Sequence, residues 1–390
     1  LLIVPIFTGC WDRRELNELG ISMAMGIDKA GDEYRVSIQV VQPGAVAQKT
    51  GGGIESTPVS LFESKGVTIF EALRRMTNTS PRKIYSAHLR FVVFGEEMAR
   101  EGIGDTLDLL SRDNEFRKDF YLLVAKGTTA ASLLSILTPL EKIPANKIYR
   151  SIDMSEKSWA PTTAVTLDDF IEDMASKGKQ PVLGVIEVLG DGQQGNSPKS
   201  VQRVRPSVQI RTAGLAAFRD DKLIGWLNEE ESIGYNFILN KIKSMVDHVA
   251  CPAGGNVALE TTHSKAEIKG RVAEGRARLK IKLNVEQNVG EVQCRLDLTQ
   301  PDSLDELERL SQKSLEELVY RTLEKVQTEY KADIFGFGSA IHRSAPKSWR
   351  TVMNDWEENF EHAQVDVDAT VRIKRNGTIT NPITEEKGET

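Results

Sequence analysis

The chain has 390 residues, enough for two or three domains, and combines 40% apolar with 27% charged residues at a formal net charge of -6. The 50 basic residues are scattered among 56 acidic ones, which excludes the concentrated positive surface that nucleic-acid binding rewards. Three cysteines, Cys10, Cys251 and Cys294, are too few for a disulfide scaffold and lack zinc-finger spacing, and no apolar run reaches the roughly 18 residues that span a bilayer.

The chain opens Leu1-Leu2-Ile3-Val4-Pro5-Ile6-Phe7-Thr8-Gly9-Cys10 and turns polar at once with Trp11-Asp12-Arg13-Arg14-Glu15. Residues 1–9 are read as the tail of a secretory leader. Thr8 and Gly9 are small enough to lie extended in a peptidase cleft, and Cys10 follows them directly. The pattern resembles a bacterial lipobox, in which the cysteine sulfur takes a diacylglycerol; Phe7 departs from the usual aliphatic residue. We expect Cys10 to be lipidated, and two or more acyl chains hold a protein stably on a membrane.

Residues 20–41 alternate as a β-hairpin, with its turn at residues 29–33 and Gly31 free to take positive φ. Residues 43–58 are rich in Gly, Ala, Ser and Thr and are read as a loop. The Gly51-Gly52-Gly53 run in it lacks the Lys-Ser/Thr of a phosphate loop. Residues 67–76 place Ile69, Phe70, Leu73 and Met76 on one helical face. Then come a strand at 89–94, a helix at 96–110, a strand at 120–125 and a helix at 128–137 that stops before Pro139. Residues 190–206, with Gly190, Gly192 and Gly195, are a long loop or linker. A second hairpin pairs residues 214–218 with 223–227, and Asn228 caps a helix over 229–238 whose first turn is acidic. Alternating strands fill 257–292. An amphipathic helix covers about 303–331, and a last strand covers 365–373, followed by an Asn376-Gly377 turn.

This order implies an α+β fold of several domains, with mixed β-sheets each packed with helices. We divide it into a leader remnant (1–9), an N-terminal α+β domain (10–189), a linker or long loop (190–213), a C-terminal α+β region of one or two subdomains (214–383) and a frayed tail (384–390).

Several separated motifs then occur in a telling order. Cys10-Trp11-Asp12 is followed by Glu15-Leu16, by Tyr85-Ser86-Ala87-His88, by Gly95-Glu96-Glu97-Met98-Ala99 and by Arg112-Asp113-Asn114-Glu115-Phe116-Arg117. Further on stand Gly214-Leu215-Ala216-Ala217-Phe218, Leu223-Ile224-Gly225-Trp226-Leu227, and Asp333-Ile334-Phe335-Gly336-Phe337-Gly338 with Trp349 and Trp356. Over nearly the whole chain past Cys10 this resembles the Ger(x)C spore-germination lipoproteins. The resemblance implies the C subunit of a nutrient germinant receptor, lipid-tethered outside the spore inner membrane, with integral-membrane A and B subunits as partners. Whether this subunit touches a small molecule is not implied.

Enzymatic signals are weak. No Gly-x-Ser-x-Gly elbow occurs. Asp168, Asp169, Glu172 and Asp173 sit on one helix, whereas paired-carboxylate hydrolases place their acids across a cleft. The five histidines lack metal-ligand spacing, so no metal, cofactor or catalytic residue is assigned. His88 is expected to satisfy a core hydrogen bond. Residues 112–117 either form an ion-pair network that locks a turn or offer Arg112, Glu115 and Arg117 to a partner. Phe335 and Phe337 either fill the core under a sharp turn or form an exposed aromatic knob for a membrane subunit. Cys251 and Cys294 could pair outside the cytoplasm, but the sequence does not bring them within reach, and we read them as unpaired, mostly buried thiols. The rival readings are a solute-binding envelope lipoprotein, which needs a cleft between two domains, and an envelope hydrolase.

Overall fold

Period-2 alternation and short turns build most of the strands from neighbours in sequence. The computed structural model describes residues 18–47, 57–251 and 254–375. Strand β1 (Leu19–Ala30) turns at Gly31, whose φ is 67°, and pairs antiparallel with β2 (Glu33–Val41), which pairs in turn with β3 (Val59–Gly66). Short β4 (Lys83–Tyr85), then β5 (Phe91–Gly95), β6 (Tyr121–Lys126) and β7 (Val182–Leu189) follow. β4 and β5 both run parallel to β1, β6 parallel to β5, and β7 parallel to β6. The hairpin of β8 (Gln209–Arg219) and β9 (Lys222–Leu227) completes a nine-stranded mixed sheet.

The central strands are buried on both faces, as their unbroken apolar runs require. Val92, Phe94, Leu122 and Val124 face one core with Met25 and Ile27, whereas Phe91, Val93, Leu123 and Ala125 face a second core on the opposite side. The helices Ala130–Leu134 and Pro144–Ser158 cover that second face. The glycine-rich stretch after residue 189 leaves the sheet and returns to the strand it left, because Leu189 is in register with Gln209. Two short helices, Gly192–Asn196 and Pro198–Val201, occupy the excursion.

The second sheet has the order β10 (Met245–Ala250), β11 (Asn256–Ala273), β12 (Arg276–Val292), β13 (Gln364–Arg375). The β11–β12 hairpin turns on Glu274 and Gly275, both at positive φ. Leu279, Ile281, Leu283 and Val285 alternate inward and Lys280 and Lys282 outward. Helix Pro301–Lys325 packs Leu315, Val319 and Leu323 into the core beneath them and continues one turn to Tyr330 before Lys331 ends it in the left-handed conformation. β13 lies parallel to β12, so the chain must cross over between them through the helices of residues 301–361. One hydrophobic cluster runs from β1 through helix Glu229–Ile238 to β12 and Phe360, so the two sheets share a continuous core. Among the described residues no helix is long and apolar enough to cross a membrane.

Three expectations change. The stretch 96–110 is two helices, Glu96–Glu101 and Gly104–Arg112. Gly102 at φ 133° breaks them, and Asp221 of the β8–β9 turn takes the freed amides: Ile103 donates to its carbonyl (3.0 Å) and Gly104 to its carboxylate (2.9 Å). Phe70 is 46% exposed and Ala72 takes the inward position in helix Ile69–Arg75. Cys251 and Cys294 are disulfide-bonded, with Cα atoms 6.4 Å apart. The reason is topological. β10 and β12 flank β11, so the residues just past their ends meet across its start, where Val257 is in register with both Val249 and Val292. Residues 48–56, the Asn376-Gly377 turn and the tail lie outside the described residues.

Candidate functional site

Cys10 lies outside the described residues. The other sequence-selected residues fall into two places of opposite character.

The first is the loop after the long helix. Phe335 and Phe337 are 3% and 0% exposed, which corrects the exposed-knob reading. Their rings stack at 5.1 Å, and Phe335 also meets Tyr235 at 6.0 Å. Asp333 makes the loop turn inward. Its Oδ1 accepts from the amides of Phe335 (3.2 Å) and Gly336 (2.9 Å), and its Oδ2 accepts from Gly338 (2.9 Å) and from the Trp356 indole (3.1 Å). Burial pushes its carboxyl up to about 6, with these donors opposing the rise. Gly338 is required for close packing: a Cβ there would lie 2.6 Å from Gly178 Cα and 2.7 Å from the Trp349 ring. The loop also ties the sheets together, since Gln180 donates to the Asp333 carbonyl (2.7 Å) and Ser339 to the Gly178 carbonyl (3.1 Å). Nearby, Lys325 donates to the Trp226 carbonyl (3.0 Å) and to Glu231 (2.8 Å); burial works against its charge, but Glu231 and Tyr330 together outweigh it and raise its pKa.

The second place is the end of the first sheet where the parallel strands β1, β4, β5 and β6 all begin. Residues 85–90 run beside the start of β1: Ser22 donates to the Tyr85 carbonyl (3.1 Å) and Arg90 to the Met23 carbonyl (2.8 Å). Residues 113–119 lie next to them, and Tyr121 donates to the Arg90 carbonyl (3.0 Å). Arg112 is exposed and grips Asp108 one helical turn back (2.7 and 2.8 Å). Glu115 pairs with Lys83 of β4. Arg112 and Glu115 thus bond outside their own segment, and Arg117 is exposed with no ion-pair partner among the described residues.

Two clefts open on either side of these segments. A small one of about 70 Å³ is lined by Phe70, Arg74, Arg82, Lys83, Glu115 and Phe116 among others. A wider one of about 250 Å³ is lined by Ala87, His88, Leu89, Arg90, Arg117, Asp119 and Tyr149. His88 is exposed there with its ring edge-on to Tyr85 at 5.9 Å, which corrects the expectation of a core histidine. The Tyr-x-x-His motif and the Arg-Asp-x-Glu-x-Arg motif therefore meet at one cleft. Arg90 and Tyr149 were missed in the sequence because they belong to neither motif; Tyr149 arrives on helix Pro144–Ser158, an element absent from the periodicity reading. Asp168, Asp169 and Glu172 are spent locally or on solvent: Asp169 closes a capping box with Thr166. No group of three or more His, Cys, Asp or Glu side chains among the described residues is placed to hold a metal ion.

Known proteins give this geometry a context. Residues 12–188 match the family model described as spore germination protein N-terminal domain, and residues 213–377 match that described as spore germination B3/GerAC like, C-terminal. Spore germination protein KC of Bacillus subtilis (strain 168) is 33% identical over 390 residues, covering 98% of this chain and 96% of that protein. Spore germination protein B3 of the same organism is 25% identical, with 95% of each chain covered. The crystal structure of the GerBC protein superposes with a TM-score of 0.55 at 21% identity, covering 90% of this chain and 96% of that one, and shows the same fold. The motif order, the two domain models and the full-length relation to protein KC agree that the chain belongs to the Ger(x)C family of spore germination proteins.

Proposed function

We propose that the chain is the lipid-anchored, non-catalytic C subunit of a nutrient germinant receptor, held on the outer face of the spore inner membrane through Cys10 and assembled with integral-membrane A and B subunits. The observation that carries this reading is the end-to-end relation to spore germination proteins, which spans both halves of the chain. The Cys251–Cys294 disulfide supports an oxidising location outside the cytoplasm. Geometry supports a tether at the chain start. Cys10 precedes Leu19 by nine positions, and nine residues of extended chain reach at most about 30 Å. The anchor would then keep the β1–β4 end of the first sheet, with its two clefts, close to the bilayer and to subunits embedded in it. Arg112, Glu115 and Arg117 are offered on that end as partner contacts.

The rival solute-receptor reading asks for a cleft between two lobes. A continuous apolar core fills the contact between the two sheets instead.

Mass spectrometry of the mature N-terminus tests the anchor: a diacylglyceryl group on Cys10 is expected. Cys10→Ala should release the folded protein from membranes, and retention of that variant in the pellet after a salt wash would sink the anchor. Mild-detergent pull-down of the integral subunits should recover the wild-type chain; its absence from the eluate would sink the partnership.

A further inference from the structure

The cleft of His88, Arg90, Arg117, Asp119 and Tyr149 brings two guanidinium groups together at one opening. Some cations of the first sheet's half, among them Lys83, Arg112, Lys126 and Arg211, are neutralised by a carboxylate. Arg90 and Arg117 hold none among the described residues, although they line one cleft of about 250 Å³. Arg90 is positioned: its guanidinium lies 5.1 Å from the centre of the Tyr149 ring, which itself stacks on Tyr121 at 4.8 Å. Packing on an aromatic face fixes a guanidinium while leaving its N–H edge free to donate.

Two guanidinium groups at one cleft, with an imidazole beside them, match the oxygens of a phosphate. Asp119 is the one carboxylate in the lining among the described residues. It would repel a bare anion but accept well from a hydroxyl next to one. A phosphodiester that carries a polyol satisfies both. The cleft also opens at the strand ends beside β1, the end that the anchor would hold at the bilayer.

We infer that this cleft binds the phosphoglycerol headgroup of an anionic phospholipid, with Arg90 and Arg117 on the phosphate and Asp119 on the glycerol hydroxyls. The site would orient the tethered domain on the membrane, which a single flexible anchor cannot do. This rests on the membrane-anchored reading, and the test separates the two.

The full chain carrying Cys10→Ala, which cannot be acylated at that sulfur, is mixed with phosphatidylglycerol vesicles or phosphatidylcholine vesicles at about 0.15 M salt, where charges more than about 8 Å apart are largely screened. Sedimentation should show preference for phosphatidylglycerol. Adding Arg117→Gln, an exposed side chain whose loss leaves the fold intact, should weaken that binding about fivefold, and adding Arg90→Gln as well should remove the preference. The charge-matched pair Arg343→Gln and Arg350→Gln, exposed on other helices, should retain it. Equal binding by the Arg90/Arg117 variant and its parent would overturn the site, as would an equal loss in the control pair. Saturation of the cleft by millimolar inorganic phosphate without vesicle binding would overturn the lipid assignment in favour of a soluble phosphate. Native protein that proves unacylated while the vesicle preference holds would remove the anchor and leave the cleft; the reverse result would remove the cleft and leave the anchor.

Discussion

The loop at residues 332–338 and the strand-end surface at residues 85–90 and 112–119 both stand out in the sequence as compact motifs, yet they are used in opposite ways. The loop spends every group inward. Its aspartate, its glycines and both phenylalanines are consumed by backbone amides and ring packing. The strand-end surface keeps its charges outside, and Arg90 and Arg117 pair with no carboxylate among the described residues. A motif of glycine and aromatic residues after a long helix is thus a packing device here, and the motif of mixed charge at the ends of buried parallel strands is the surface we propose for partner contacts. The first should respond to mutation through stability and the second through binding.

The largest expected effect is on the loop. Asp333→Ala leaves the amides of Phe335, Gly336 and Gly338 and the Trp356 indole without an acceptor, and should cost about 3 kcal/mol or more in urea unfolding. Asp333→Asn sharpens the point through pH. The raised pKa means that the folded protein keeps a proton between about pH 4 and 6 which the unfolded chain has lost. The Asp333 contribution is therefore greatest below its unfolded pKa and declines as pH rises through about 6. The difference in unfolding free energy between wild type and Asp333→Asn should shrink from pH 4 to pH 7; a gap that widens would break the account of this carboxyl.

Removing the disulfide with Cys251→Ala and Cys294→Ala comes next. It closes residues 43 apart in sequence and should cost about 2–4 kcal/mol by differential scanning calorimetry, with the reduced wild type falling to match. Gly338→Ala drives a methyl into Gly178 and Trp349 and should cost about 1–3 kcal/mol in the same measurement. At the other end of the scale, Arg112→Ala removes an exposed pair and should leave the thermal midpoint within experimental error. If it also lowers recovery of the integral subunits in a pull-down, the contrast between the two regions holds. If Arg112→Ala unfolds the protein, the contrast fails.

Local pattern carried much of the fold. The hairpins β1–β2 and β8–β9 and the alternation of β11 and β12 were readable because alternation and turn residues such as Gly31 act within a few positions of each other; the turn at Glu274 and Gly275 was not read. The buried runs of β5 and β6 were readable from composition. The break at Gly102 was not, since its cause is Asp221, more than a hundred residues away. Phe70 failed for a related reason: helical periodicity names a face, but the neighbours decide how much of it is covered.

By itself the sequence determined the family, the α+β class, the main strands and the cysteine where an acyl anchor is expected, because motif order and side-chain period are properties of the chain read in line. Only the tertiary structure decided that Phe335 and Phe337 are core, that Cys251 reaches Cys294, and that His88, Arg90, Arg117 and Tyr149 share a cleft. Those facts depend on which strand ends lie side by side, and strand order in a sheet is set by pairing between segments far apart in the chain.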